Sequence, residues 1–171
     1  MIYKAQIICI IIILFIAAFY FYAERKRTPA KWFSSLLITA IVQLIFDICS
    51  VYTVNHLETV SPILNRIVHF FYMSLMLILF LIAYKYLEAL IEDALGKPIY
   101  RIKSIILPAI IGALGLGLLP IKYVETPNGN YSHGPAVFGV YACVAFNIVL
   151  IVRLIIIHRK DIPEKKRIAI I

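Results

Sequence analysis

Charge is scarce in this sequence. Only 15% of its residues are Asp, Glu, Lys or Arg, while 63% are hydrophobic and the mean hydropathy is +0.93. A soluble domain carries roughly 45 to 50% apolar residues and about 25% charged ones. The composition therefore excludes a soluble globular fold and points to an integral membrane protein whose first partner is the lipid bilayer. Acid is scarcer still, with Lys+Arg 17 against Asp+Glu 9 and a net charge of +8. The basic residues fall in the gaps between apolar runs, the pattern that sets membrane topology, so nucleic acid is not read as a partner. Cysteine is limited to Cys9, Cys49 and Cys143, each inside an apolar run, where a thiol behaves as a small buried hydrophobe. No disulfide framework, metal site or cofactor is expected from them. The first apolar run is expected to be an uncleaved helix, since Lys4 alone precedes it and no clear small-residue cleavage site follows it.

What is present is a series of apolar runs. They predict an all-α, polytopic transmembrane helical bundle in the plasma membrane, with helices over about 3–23, 32–55, 63–87, 103–124 and 135–157. Thr28-Pro29 breaks the chain, and Lys31-Trp32 marks an interface, where a tryptophan ring is favoured. Ser61 and Pro62 read as the N-cap and first residue of the third helix, whose extension through Glu88, Glu92 and Asp93 ends at Gly96 and Pro98. Pro108 and Pro120 fall within the fourth run, and Ala109, Ala113 and Gly117 repeat every fourth residue there, a pattern for close helix packing or a hinge. Arg25 to Lys31, Lys97 to Lys103 and Arg159 to Arg167 lie at one set of helix ends, which predicts the N-terminus outside and these segments inside. Ile168 to Ile171 opens a further apolar run. It is read as the start of a sixth helix in a chain expected to continue toward a cytoplasmic output domain.

The stretch from Phe46 to Met76 carries the polar groups of interest. Asp47 stands eight residues before Asn55, roughly 12 Å deep at the helical rise of ~1.5 Å. A carboxylate near a helix centre costs on the order of 3 kcal/mol on insertion scales, so it needs a partner in the bundle interior. Asn65, His69, Tyr72 and Met76 follow one another at helical spacing on one face, with Arg66 one position round. The expected partner of Asp47 is His69 first and Arg66 second, since both donate to a carboxylate. Such a pair is either a clasp fixing two helices or part of a sensing site. Tyr141 and Asn147 enter from the fifth helix, and a single asparagine there reads as interhelical glue. Glu88, Glu92 and Asp93 are expected to be solvated or paired with Lys85 and Lys97. His133 and His158 fall at opposite ends, so no metal set forms with His69. The candidates for ligand or signal sensing are therefore Asp47, Asn65, Arg66, His69, Tyr72, Tyr141 and Asn147, with no catalytic residue.

Phe46-Asp47-Ile48 with Val51-Tyr52, then Val60, Pro62, Asn65, His69 and Tyr72, resembles the N-terminal membrane region of multi-pass diguanylate cyclases of Gram-positive anaerobes. Tyr131-Ser132-His133-Gly134-Pro135, Tyr141 and Lys165-Lys166-Arg167 are similar to the outer loop and basic inner segment of those proteins. More loosely, they resemble seven-helix sensor regions of histidine kinases. The resemblance implies a sensory and anchoring module upstream of a domain that makes cyclic di-GMP. The chain has no Gly-Gly-Asp-Glu-Phe motif and no kinase phosphoacceptor region, so no enzyme activity is expected of these residues. A homodimer remains open. The alternative is a fragment of a small-solute or ion transporter, with Asp47, His69 and Asn147 along a path, although no inverted repeat is visible. An intramembrane enzyme using Asp47 and His69 lacks a second carboxylate or metal set.

Overall fold

The computed structural model describes residues 4–23, 28–99, 105–127 and 129–163. The first helix, α1 (Lys4–Ala23), is apolar all round, and it packs on α2 (Thr28–Asn55). The second helix begins earlier than its Lys31-Trp32 marker suggests. Pro29 is accommodated in its first turn, where a missing N–H has no intrahelical partner to lose. The longest element, α3 (Pro62–Leu95, 34 residues), returns antiparallel to α2. Ser61 caps it by accepting a hydrogen bond from the Leu64 N–H, and Gly96 ends it in the left-handed conformation with its N–H on Glu92 O.

The fourth helix departs from the sequence expectation of 103–124. Among the described residues α4 is Ile106–Leu118, only 13 residues or about 20 Å. Leu119 is extended because it precedes Pro120, whose ring disfavours the helical region for its neighbour. The chain then forms a two-stranded antiparallel hairpin, β1 (Lys122–Val124) with β2 (Tyr131–His133), in the register Lys122 opposite His133 and Val124 opposite Tyr131. Gly134 takes φ 126, and a β-carbon there would lie 3.0 Å from Pro120 O, so glycine is required where the hairpin hands over to α5 (Pro135–His158).

Among the described residues three helices are long and apolar enough to cross a membrane: Pro29–Asn55, Pro62–Leu95 and Pro135–His158. The apolar stretches of α1 and α4 are shorter, at Ala5–Tyr20 and Ile106–Leu118. The sixth helix expected from Ile168, the basic segments Lys165 to Arg167 and Arg25 to Arg27, and Tyr100 to Lys103 lie outside the described residues.

The core falls into two clusters along α3. Nearer the hairpin, Met73 and Leu77 meet Leu116 of α4 and Ala136, Val137 and Val140 of α5. Farther away, Tyr84, Leu87 and Ile91 meet Ile105, Leu150, Leu154 and Ile162. On α4, Ala109 packs against the cluster nearer the hairpin, and a β-carbon added at Gly112 would fall 2.5 Å from Leu77 Cδ1. Gly117 has nothing within 4 Å of that position. The outward faces carry large exposed apolar side chains such as Phe15, Phe138 and Ile156. Contiguous apolar surface of this extent suits contact with hydrocarbon rather than water.

Candidate functional site

Polar side chains on α2 and α3 meet in a ladder at the hairpin end. Asp47, Ser50 and Thr53 are three residues apart and share one face of α2, and Asn65, His69 and Tyr72 share the facing stripe of α3. Because the helices are antiparallel, each step up α2 meets a step down α3. The Thr53 hydroxyl lies 2.8 Å from Asn65 Oδ1 and 3.1 Å from its own helix's Ser50 O, so its one proton is shared between two acceptors. His69 Nδ1 is 3.0 Å from the Asn65 carbonyl oxygen, and Ser50 Oγ is 3.1 Å from Nε2. A carbonyl only accepts, so Nδ1 carries a proton. In the neutral ring Nε2 is then the acceptor and Ser50 donates to it. Asn65 is 0% and His69 1% exposed, so these bonds replace water that the groups would otherwise need.

The pairing expected from sequence between Asp47 and His69 is not formed. Both imidazole nitrogens are occupied by Ser50 and Asn65, and the Asp47 carboxyl instead lies within electrostatic range of the Tyr72 hydroxyl. Tyr141 of α5, half-exposed, lies in electrostatic range of Tyr72. Arg66 is not a partner of Asp47 either. Its Nη2 donates to Leu116 O, Gly117 O and Leu119 O at 3.4, 3.3 and 3.1 Å, capping the carbonyl end of α4. Asn147 joins none of these groups. It is 0% exposed on α5, and neither of its amide atoms has a hydrogen-bond partner among the described residues. At the far end of α3, Glu88 is 4% exposed and paired with Lys85 at 2.7 Å, and Glu92 accepts from the Ile99 N–H.

The hairpin is fastened to the top of this ladder through Asn130. Its backbone N–H donates to Asn55 Oδ1 at 3.0 Å, its Nδ2 donates to Val54 O at 3.0 Å, and its Oδ1 accepts from Thr126 N–H at 3.3 Å. Asn55 in turn donates to Val51 O. Tyr123 of β1 sets its ring edge-on to His69 at 5.3 Å. Burial pushes the Tyr123 phenol pKa up, and the nearby Arg66 charge partly offsets that shift. Between the α2–α3 turn and the hairpin loop is a hollow of about 180 Å³ lined by Asn55, His56, Leu57, Glu58, Thr59, Glu125 and Asn130. It is open to solvent and too small for a drug-sized ligand, whose pockets start at about 300 Å³.

Ser50, Thr53, Asn55, Tyr123 and Asn130 are members of the site that the sequence reading passes over. For the first two a signal exists, since they continue the Asp47 face of α2 at a spacing of three. Among the described residues no group of three or more His, Cys, Asp or Glu side chains could hold a metal. No protein-family model, curated protein or solved structure matches this chain, so its function is argued from the arrangement of these residues.

Proposed function

We propose that this chain is the membrane-embedded sensory and anchoring module of a bacterial signalling protein. In this reading the hairpin and the N-terminus face the outside, and the opposite helix ends lead to a cytoplasmic output domain of the class that makes cyclic di-GMP. Lys31, Lys97, Arg159 and Lys160 at the ends away from the hairpin support that orientation. At the hairpin end, Arg66 is engaged in capping α4.

One observation carries the reading. The hollow between the loops shares Asn55 and Asn130 with the top of the ladder, and the ladder sets the packing of the two longest helices. A solute or a change of state at the hollow that favours one position of Asn130 would thereby bias how α2 sits against α3. A bound species shifts such an equilibrium only by its differential affinity for the two arrangements, and the loop contacts at Asn130 provide a place where that difference can arise.

The test joins the chain to a diguanylate cyclase domain and measures cyclic di-GMP at matched membrane abundance. Asp47→Asn, His69→Gln and Tyr141→Phe are expected to change output, whereas Lys97→Gln is not. Unchanged output in the first set with a changed output in the last would make the ladder a structural clasp.

A further inference from the structure

A groove of about 230 Å³ opens at the end of the bundle away from the hairpin, where the start of α2, the farther part of α3 and the start of α4 meet. Its walls are Ile78, Leu81, Ile82, Ile105 and Ile106, and Trp32 and Lys85 complete it. We propose that this groove binds one acyl chain of an anionic phospholipid, with the lipid phosphate held at Lys85 and Lys31.

The depth of the groove follows from α3. A hydrocarbon core of ~30 Å takes about 20 helical residues, and counting from Ile63 these end near Ile82. Lys85 is the first charged residue on α3 after Arg66, so it stands where the helix leaves the hydrocarbon. Aromatic rings mark the same level independently. Tyr20 of α1 packs on Phe33 of α2 at 4.5 Å, and Phe33 packs on Tyr86 of α3 at 5.2 Å, with Trp32 beside them in sequence. Tyrosine and tryptophan concentrate at the headgroup level, where one end of the ring is dry and the other wet. From Lys85 to Ile78 the groove runs seven residues, or about 10 Å, into the apolar layer, enough for the headgroup-proximal part of a chain.

The lining then selects the occupant. Its aliphatic walls offer water no hydrogen bonds, and an apolar space of this kind takes hydrocarbon. At the mouth, Lys85 Nζ lies 2.7 Å from Glu88 Oε2. An ammonium has three N–H donors, so two remain for a phosphate oxygen after Glu88 takes one. Lys31, exposed in the first turns of α2 and next in sequence to the lining residue Trp32, adds a second positive charge at this end of the bundle. A headgroup whose only charge is its phosphate is favoured there over a choline headgroup, which brings a cation of its own. Lys85 lines the groove and is partly exposed, and long basic side chains at such boundaries bury an apolar stem while keeping the charge near water.

The test uses the full chain, purified in detergent and delipidated, titrated with dioleoyl phosphatidylglycerol or dioleoyl phosphatidylcholine and read by native mass spectrometry. The expected preference for phosphatidylglycerol is about fivefold, the effect of one basic residue near an anionic lipid surface. Ile82→Trp and Ile106→Trp fill the groove from different walls and should each abolish the preference, while Val149→Trp on the outward face of α5 should keep it. Glycerol phosphate, the headgroup without chains, should not compete. Equal retention of the two lipids, a preference that survives in a filled groove with unchanged helical circular dichroism, or competition by glycerol phosphate would each overturn the proposal. If both fillers fail to fold, Lys31→Gln decides: the preference must fall toward unity, and an undiminished one overturns the assignment.

Discussion

Both ring nitrogens of His69 are committed, Nδ1 to the Asn65 carbonyl and Nε2 to Ser50 Oγ, and this fixes the energetics of the ladder. Interhelical polar contacts in membrane proteins average only ~0.6 kcal/mol in double-mutant cycles, with a maximum near 1.7. Each rung is therefore weak, and the rungs act by choosing the register of α2 against α3. Reversible unfolding in mixed micelles should give a coupling of about 0.6 kcal/mol between Ser50→Ala and His69→Gln, and a similar value between Asp47→Asn and Tyr72→Phe. The pair Asp47→Asn and His69→Gln should be additive. Coupling confined to that last pair would restore the partnership expected from sequence. The correct partners were within reach of periodicity. Asp47, Ser50 and Thr53 step by three along α2, and Tyr72, His69 and Asn65 step by three and four along α3, so antiparallel packing matches them rung by rung. Considering only the strongest charges, Asp47 and His69, leaves out the hydroxyls that fill the places between them.

At the level of elements, α4 is the weak member of the bundle. It has 13 residues and a C-terminus that meets the hairpin through Leu119 and Pro120. Its last carbonyls lack intrahelical donors, and Arg66 supplies one from α3. Hydrogen bonds to charged groups contribute about 1.5–3 kcal/mol, and the exposure of Arg66 reduces this to about 1 kcal/mol. Arg66→Gln should therefore raise amide hydrogen exchange across residues 116–124 and leave the middle of α3 unchanged. Unaltered protection at 116–124 would remove the cap from the account. The ends of α3 are legible in sequence because Ser61, Pro62 and Gly96 each act through local backbone chemistry. The hairpin is not, because Lys122-Tyr123-Val124 follows an apolar run without a polar break. Only the pairing with Tyr131–His133, a contact distant in sequence, makes it a strand.

For the whole molecule, the proposed function requires an outward hairpin, a ladder inside the membrane and inward helix ends. The orientation is checked in a background lacking the native three cysteines. Thr59→Cys should react with an impermeant thiol reagent in intact cells and Lys160→Cys should not, and the reverse result would invert the topology. The apolar composition makes membrane residence legible from sequence, whereas the docking of Asn130 on Asn55 and Val54, 75 and 76 residues away, is not. The central claim is that this docking governs how the helices sit at the far end. The most direct measurement is the distance between spin labels at positions 97 and 160, taken by pulsed electron resonance in lipid nanodiscs, with and without Asn130→Ala or Thr53→Val. The account predicts that either substitution shifts the distance distribution or adds a second population, while Val149→Ala, on the outward face of α5, leaves it unchanged. Superimposable distributions for all of them would contradict the claim and reduce the hairpin and ladder to fasteners.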